Sequence, residues 1–211
     1  MYDYIMYDYI IVGGGSAGCV LANRLSADPR AQVCLLEAGP PDSSPFIRLP
    51  LGIVRMMMSK KLNWHYFTEP QPELDGRRLF WPRGKTLGGS SATNAMIYTR
   101  GHPADYDQWA ALGNRGWSFA DVLPLFLRSE HHEAGAWPFH ATGGPLNVAP
   151  QRSPNVLSHT FVAAALQAGY PFNPDFNGAS QEGVKLLRRH PAQRRTLQRR
   201  ARLPPSGAAA P

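Results

Sequence analysis

The stretch that most constrains this chain is Ile10-Ile11-Val12-Gly13-Gly14-Gly15-Ser16-Ala17-Gly18, a short apolar run that breaks into glycines spaced G-x-G-x-x-G. It predicts a strand over Tyr7 to Val12, a tight turn, and a helix over Ser16 to Ser26 with Ala17, Val20, Leu21 and Leu25 on one apolar face. Gly13 permits the turn. Gly15 lets a pyrophosphate approach the backbone, and Gly18 lets the helix lie close to the strand. The free N–H groups and positive dipole end of that helix suit the same phosphate. A second apolar run, Gln32 to Glu37, reads as a buried parallel strand. Glu37 stands about twenty residues on, where an acidic group holds a ribose hydroxyl pair. Strand, glycines, helix and Glu37 together describe an α/β fold built on a Rossmann-like βαβ unit that binds a dinucleotide.

A second chemical stretch runs from Arg83-Gly84-Lys85-Thr86-Leu87-Gly88-Gly89 through Ser90-Ser91-Ala92-Thr93-Asn94-Ala95-Met96-Ile97. A Gly-Gly-Ser-Ser turn ahead of a helix-compatible segment offers backbone N–H groups and hydroxyls to another part of a long, phosphate-bearing cofactor. A serine-rich helix cap accounts for the same residues, and composition leaves both readings open. The order of a P-loop is absent.

Between these stretches, residues 42–82 read as irregular. Met56-Met57-Met58 reads as core filling or a mobile lid. Trp64, Tyr66, Phe67, Phe80 and Trp81 either line a pocket or anchor long loops. Downstream, Pro103 to Leu112 is a short helix ended by Gly113. Ser118 to Asp121 is a capping box opening a helix with Val122, Leu125 and Phe126 inward. Leu146 to Val148 is a short strand. Ser153-Pro154 is an N-cap and N1 pair for a helix with Leu157, Phe161, Ala164 and Ala168 on one face. His131, His132 and His140 lack i,i+4 spacing and a supporting carboxylate set, so no metal site is expected. Cys19 and Cys34 read as small buried hydrophobes.

The net charge of +7 is misleading. Residues 185–211 hold eight Lys/Arg and no acid, whereas residues 1–184 hold 14 basic and 15 acidic residues. The body is neutral, and a nucleic-acid partner is not expected. No run reaches transmembrane length and no signal peptide is visible, which leaves a cytoplasmic location or peripheral membrane association.

These residues resemble the glucose-methanol-choline (GMC) flavin oxidoreductases, specifically the choline-dehydrogenase-like bacterial members. The likeness is carried by Tyr7 to Gly18, Leu35 to Gly39, Trp81 through Tyr98, Arg100-Gly101-His102 and Asp105-Tyr106-Asp107, and runs to about Val184. The resemblance implies FAD as cofactor and an alcohol as substrate, with a carbon-bound hydride passing to the flavin. The electron acceptor is left open. The cofactor positions it implies are Gly13, Gly14, Gly15, Ser16, Ala17, Gly18, Glu37, Ala38, Arg83, Gly84, Thr86, Leu87, Gly88, Gly89, Ser90, Ser91, Asn94, Ala95, Met96 and Ile97. Of these, Gly13, Gly15, Ser16 and Ala17 meet the pyrophosphate and Glu37 the adenosine ribose. Leu87 to Ser91 and Asn94 to Ile97 lie along the ribityl chain and the isoalloxazine ring. Thr93 stands where some members carry a histidine bonded to the flavin, so FAD is expected to be noncovalent.

The resemblance divides the chain into an incomplete FAD-binding domain over 1–135, the start of an α+β substrate domain over 136–184, and a basic tail over 185–211. The family's catalytic histidine region has no counterpart, so no catalytic residue is assigned, and His140 reads as a structural loop position. A chain of this extent is expected to be poorly stable and inactive alone. A non-catalytic dinucleotide-binding module is the competing reading. The tail reads as disordered or as out-of-frame translation: permitted codons for Lys185 onward, read one base later, spell S-F-Y-G-V-T-Q, which resembles the family's own continuation. The repeat Met1 to Ile5 and Met6 to Ile10 reads as an upstream start or a duplication.

Overall fold

The computed structural model describes residues 6–49 and 52–189. They belong to two compact units, one reaching Ala95 and the other starting at Met96. The first copy of the N-terminal repeat and residues 190–211 of the tail lie outside the described residues.

The first unit opens as the sequence requires. Strand β1 (Tyr9–Val12) pairs in parallel with β2 (Val33–Leu36), Ile10 opposite Cys34 and Ile11 opposite Leu35, and helix α1 (Ser16–Leu25) crosses between them. The expected apolar face of α1 is not the one that packs. Gly18, Cys19 and Ala22 are buried, while Val20 and Leu21 are about half exposed. Small residues win because the helix lies against its own turn: a Cβ on Gly18 would sit 1.9 Å from the Gly13 carbonyl oxygen. Strand β2 is likewise half-buried rather than buried, because within this chain α1 covers one face of a two-stranded sheet.

Residues 42–82 are more ordered than expected. Helix α2 (Pro45–Arg48) and helix α3 (Gly52–Met57) pack together, and Ile47, Met56, Leu62 and Ala92 form a buried cluster joined by Ile53. Met56 is core, as one of the two readings had it, whereas Met58 is exposed. Strands β3 (Tyr66–Phe67) and β4 (Phe80–Trp81) form an antiparallel pair. The aromatics anchor this hairpin: Trp64 stacks on Tyr66 at 5.7 Å between ring centroids and Phe67 meets Phe80 at 5.4 Å.

In the second unit, all three described helix starts are closed by side chains. His102 Nδ1 accepts from Ala104 N and Asp105 from His102 N at the head of α4 (Pro103–Ala111). Ser118 and Asp121 exchange the corresponding bonds at the head of α5 (Phe119–Ser129). Helix α5 runs directly into β5 (Glu130–His132), which pairs in parallel with β6 (Leu146–Val148). Helix α6 (Val156–Gln167) is capped by Asn155, whose side chain accepts from Leu157 N at 2.9 Å, and not by the expected Ser153-Pro154 pair. Asn155 wins because its short amide reaches the first-turn N–H groups itself. The predicted inward residues Leu125, Leu157 and Phe161 are 55, 70 and 72% exposed; among the three of α5, Val122 is the one buried. On α5 the contact is made by Phe126 instead, whose ring meets Tyr106 at 5.9 Å.

Candidate cofactor cradle and a buried ion cluster

The glycine turn is held from both sides. Gly13, at φ 98°, donates its N–H to the Leu36 carbonyl at 2.7 Å, tying the turn to the end of β2. No L side chain adopts that φ without strain. Gly14 donates to Glu37 Oε2 at 2.7 Å and Gly39 donates to Glu37 Oε1 at 2.8 Å. The carboxylate is therefore fixed in orientation by two backbone amides, and each oxygen keeps a lone pair for a further donor. A Cβ on Gly14 would meet Leu87 at 3.0 Å and Glu37 at 3.1 Å, so only glycine fits there comfortably.

Helix α1 begins on Gly15, an N-cap without a side chain, and no side chain caps its first-turn amides. Nothing lies within 4 Å of where a Gly15 Cβ would stand. Its first turn carries no acid. These amides point out of an uncapped helix end beside open space, which is the arrangement that receives a phosphate.

The second glycine stretch closes directly on the first. Gly88 N donates to Gly14 O at 2.7 Å, and a Cβ on Gly89 would come within 2.9 Å of Gly15 Cα. Gly88 and Gly89 both take positive φ, 91° and 54°. The Thr86 hydroxyl and the Leu87 amide both donate to the Pro40 carbonyl, at 2.8 and 3.1 Å, and lash this loop to the segment after Glu37. The Cys19 thiol donates to Gly14 O at 3.2 Å, and burial pushes it above the ordinary thiol range, so it stays a protonated donor.

Thus Gly13 to Gly18, Glu37, Ala38, Gly84 and Thr86 to Ser91 all lie in one unit, joined by backbone hydrogen bonds. Individual roles differ from a simple lining. Thr86 is fully buried and its hydroxyl is spent on Pro40. The Ser91 hydroxyl is buried and donates to Gly88 O at 2.6 Å. Exposed Ser90 accepts from Gly84 N at 3.1 Å and keeps its O–H free to donate. The expected helix after Ser91 is absent: Gly89–Ala92 is a single tight turn, followed by a turn and a bend at Thr93 and Asn94. Asn94 and Ala95 end the first unit, whereas Met96 and Ile97 begin the second. Met96 takes φ 61°, a left-handed conformation unusual for a residue other than glycine.

The second unit holds a cluster the sequence did not reveal. His140 lies between two carboxylates, Nδ1 at 3.0 Å from Glu130 and Nε2 at 2.9 Å from Asp175. Glu130 also accepts from Ala141 N and pairs with the buried Arg100 at 3.2 Å. Arg100 donates to Phe139 O at 2.7 Å. The supporting carboxylates judged missing around the histidines are therefore present, supplied by β5 and by a residue 35 positions downstream of His140. Burial opposes charge on His140, but its bonds to Asp175 and Glu130 outweigh this and raise its pKa. Burial would raise Asp175, yet His140 as donor and charge draws it down to about 2. Both ring nitrogens of His140 are committed, so it is a clasp and not a base. His132 differs: it is fully buried, neither ring nitrogen has a partner, and it packs edge-on to Trp137 at 4.5 Å. Burial, then the charges of Arg188 and His140, lower it to about 4, so it is a neutral ring. Among the described residues no group of side chains is placed to hold a metal ion.

Comparison with known proteins identifies the family. The family described as GMC oxidoreductase matches residues 7–209. An alcohol dehydrogenase [acceptor] of Pseudomonas putida is 56% identical over 180 residues, covering 85% of this chain and 33% of that protein. An oxygen-dependent choline dehydrogenase of Sinorhizobium fredii is 50% identical, again over 85% of this chain and 33% of the relative. The crystal structure of pyridoxine 4-oxidase from Mesorbium loti superposes with a TM-score of 0.81 at 34% identity, covering 93% of this chain and 41% of the other. The chain spans about a third of the length of the curated relatives it matches.

Proposed function

The chain belongs to the GMC oxidoreductase family, and on that premise we propose that it is the nucleotide-binding portion of an FAD-dependent oxidoreductase acting on the CH–OH group of an alcohol of the simple or choline type. The observation that carries this reading is the closure of the two glycine turns, Gly88 N on Gly14 O, beside the uncapped start of α1. The residues present fit the cofactor. The amides of Ser16, Ala17 and Gly18 receive the pyrophosphate, and Glu37, held in orientation by Gly14 and Gly39, accepts the adenosine ribose hydroxyls. Ser90 keeps a free O–H for the ribityl chain, and Asn94 and Ala95, at the end of the same unit, serve the ring.

FAD, when bound, supplies an electron sink for the hydride leaving the carbinol carbon. The chain's part is to bind and orient that group. Thr93 offers no nitrogen for a covalent link, so binding is noncovalent. Neither His140, with both ring nitrogens engaged, nor His132, sealed from solvent, is free to take the alcohol proton. Residues 1–135 are the FAD-binding part and 136–184 the start of the substrate domain, and the chain alone does not turn over. Partners are a small-molecule alcohol and an electron acceptor; nucleic acid is not one. No described helix is long and apolar enough to cross a membrane.

The test is a titration of the purified chain with FAD and, separately, with NAD, followed by fluorescence and absorbance. FAD binding without bleaching on addition of an alcohol is the expected result. Preference for NAD overturns the cofactor assignment, and alcohol-dependent bleaching overturns the claim that the chain is catalytically incomplete.

A further inference from the structure

The first unit also carries a hollow of about 340 Å³ whose lining includes none of the positions assigned to FAD. Two cations converge on it, Arg55 from α3 and Lys61 from the chain just beyond, together with the hydroxyls of Ser43, Ser44 and Ser59. Phe46, from α2, supplies an apolar wall. No lining residue is acidic, and residues 43–68 contain no Asp or Glu. Asp42, the nearest acid in sequence, is outside the lining. Among the described residues neither Arg55 nor Lys61 forms an ion pair.

Two unpaired cations sharing one concavity repel each other unless an anion lies between them. Arginine presents a planar fork and lysine a point charge, and both match phosphate oxygens, to which the serine hydroxyls add donors. The volume falls in the range of small-molecule sites. We propose that this hollow binds an organic phosphate, its phosphate on Arg55, Lys61 and the serines and its carbon portion against Phe46. Two sources share that chemistry, a soluble phosphomonoester and a phospholipid headgroup. Val54 and Met58, one helical turn apart and 67 and 72% exposed, give the lipid source an apolar foothold beside the site.

The experiment uses the full chain at fixed ionic strength. Glycerol 3-phosphate and inorganic phosphate are titrated by calorimetry, and phosphatidylcholine vesicles with and without phosphatidic acid are tested by co-sedimentation. R55Q and K61Q each weaken binding about tenfold, roughly the worth of one charge-assisted contact. R128Q, a cation removed from the second unit, controls for nonspecific attraction, including that of the basic tail, and leaves binding unchanged. Arg55 and Lys61 are exposed, so the fold tolerates both changes; S59A, expected to weaken binding less, gives an independent variant of the same site. Binding of glycerol 3-phosphate with this pattern identifies the soluble source, and binding confined to phosphatidic acid vesicles identifies the lipid one. No binding by either, equal losses in R128Q, or undiminished binding in R55Q and K61Q overturns the proposal. Each readout is independent of flavin, so failure here leaves the FAD reading standing.

Discussion

The Gly88 amide donates to the Gly14 carbonyl at 2.7 Å, so two glycine turns more than seventy positions apart in sequence form a single backbone-bonded cradle. Beside this contact Gly14 and Gly89 have little room for a side chain: a Cβ on Gly14 would meet Leu87 at 3.0 Å, and one on Gly89 would come 2.9 Å from Gly15 Cα.

Gly18 and Gly15 should therefore respond differently to alanine. At Gly18 the added Cβ falls 1.9 Å from a backbone oxygen, which forces α1 off its strand; a loss of about 1–3 kcal/mol or more is expected from overpacking. At Gly15 the added Cβ meets nothing within 4 Å, and φ is −73°, so stability holds. That Cβ instead enters the space assigned to the pyrophosphate, and FAD affinity falls at least tenfold. Denaturant midpoints and FAD titrations of G18A and G15A check both halves.

Replacing Glu37 by Gln keeps shape but removes an acceptor. The amide NH₂ must then face one of two N–H donors, Gly14 or Gly39, leaving it unsatisfied. The expected cost is about 1–3 kcal/mol, with weakened FAD binding. Urea unfolding followed in parallel with FAD titration measures both.

The histidines predict a two-sided pH profile for the second unit. His140 is raised above its ordinary 6.5 in the fold, so its contribution is complete below that value and is lost as pH rises through the folded pKa. His132 is lowered from 6.5 to about 4, so its contribution is complete above 6.5 and is lost as pH falls toward 4. H140Q should flatten the alkaline limb. H132F should flatten the acid limb and, because neither ring nitrogen has a partner, cost little or stabilise. Melting temperature against pH for the three proteins decides this.

The segment after Val184 gives a fourth prediction. Arg189 exchanges backbone bonds with Ala149 at 2.8 Å, yet its Nε is buried without a partner, and the neighbouring Arg188 charge bears on His132. Backbone pairing is indifferent to the side chain, but the site is not. The residues that a one-base shift permits there, Gly at 188 and Val at 189, would remove both misfits. R188G/R189V should melt at a higher temperature, by a few degrees, in a thermal scan; a lower midpoint contradicts the out-of-frame reading.

Much of the cradle was legible beforehand because its demands are local. G-x-G-x-x-G followed by a second apolar run specifies a strand, a turn and a helix through backbone geometry alone, and Glu37 falls at the spacing a βαβ unit imposes. The capping box at Ser118 is equally local. The apolar faces of α1, α5 and α6 were misread for the opposite reason. Periodicity shows which residues are apolar, not which neighbours exist to cover them, and in α1 contact distance favoured Gly18 and Ala22 over Val20 and Leu21. Asn155 displaced the expected Ser153-Pro154 cap because capping depends on which side chain meets an amide.

The amino-acid order by itself determined the βαβ unit and the positions of both glycine turns, since each rests on the conformational freedom of glycine and on short-range spacing. Only the tertiary structure decided that Gly14 and Gly88 bond to each other, that Glu37 is fixed by two amides, and that His140 is clasped by Glu130 and Asp175. Those are contacts between distant segments, where hydrogen-bond reach and burial select the partners.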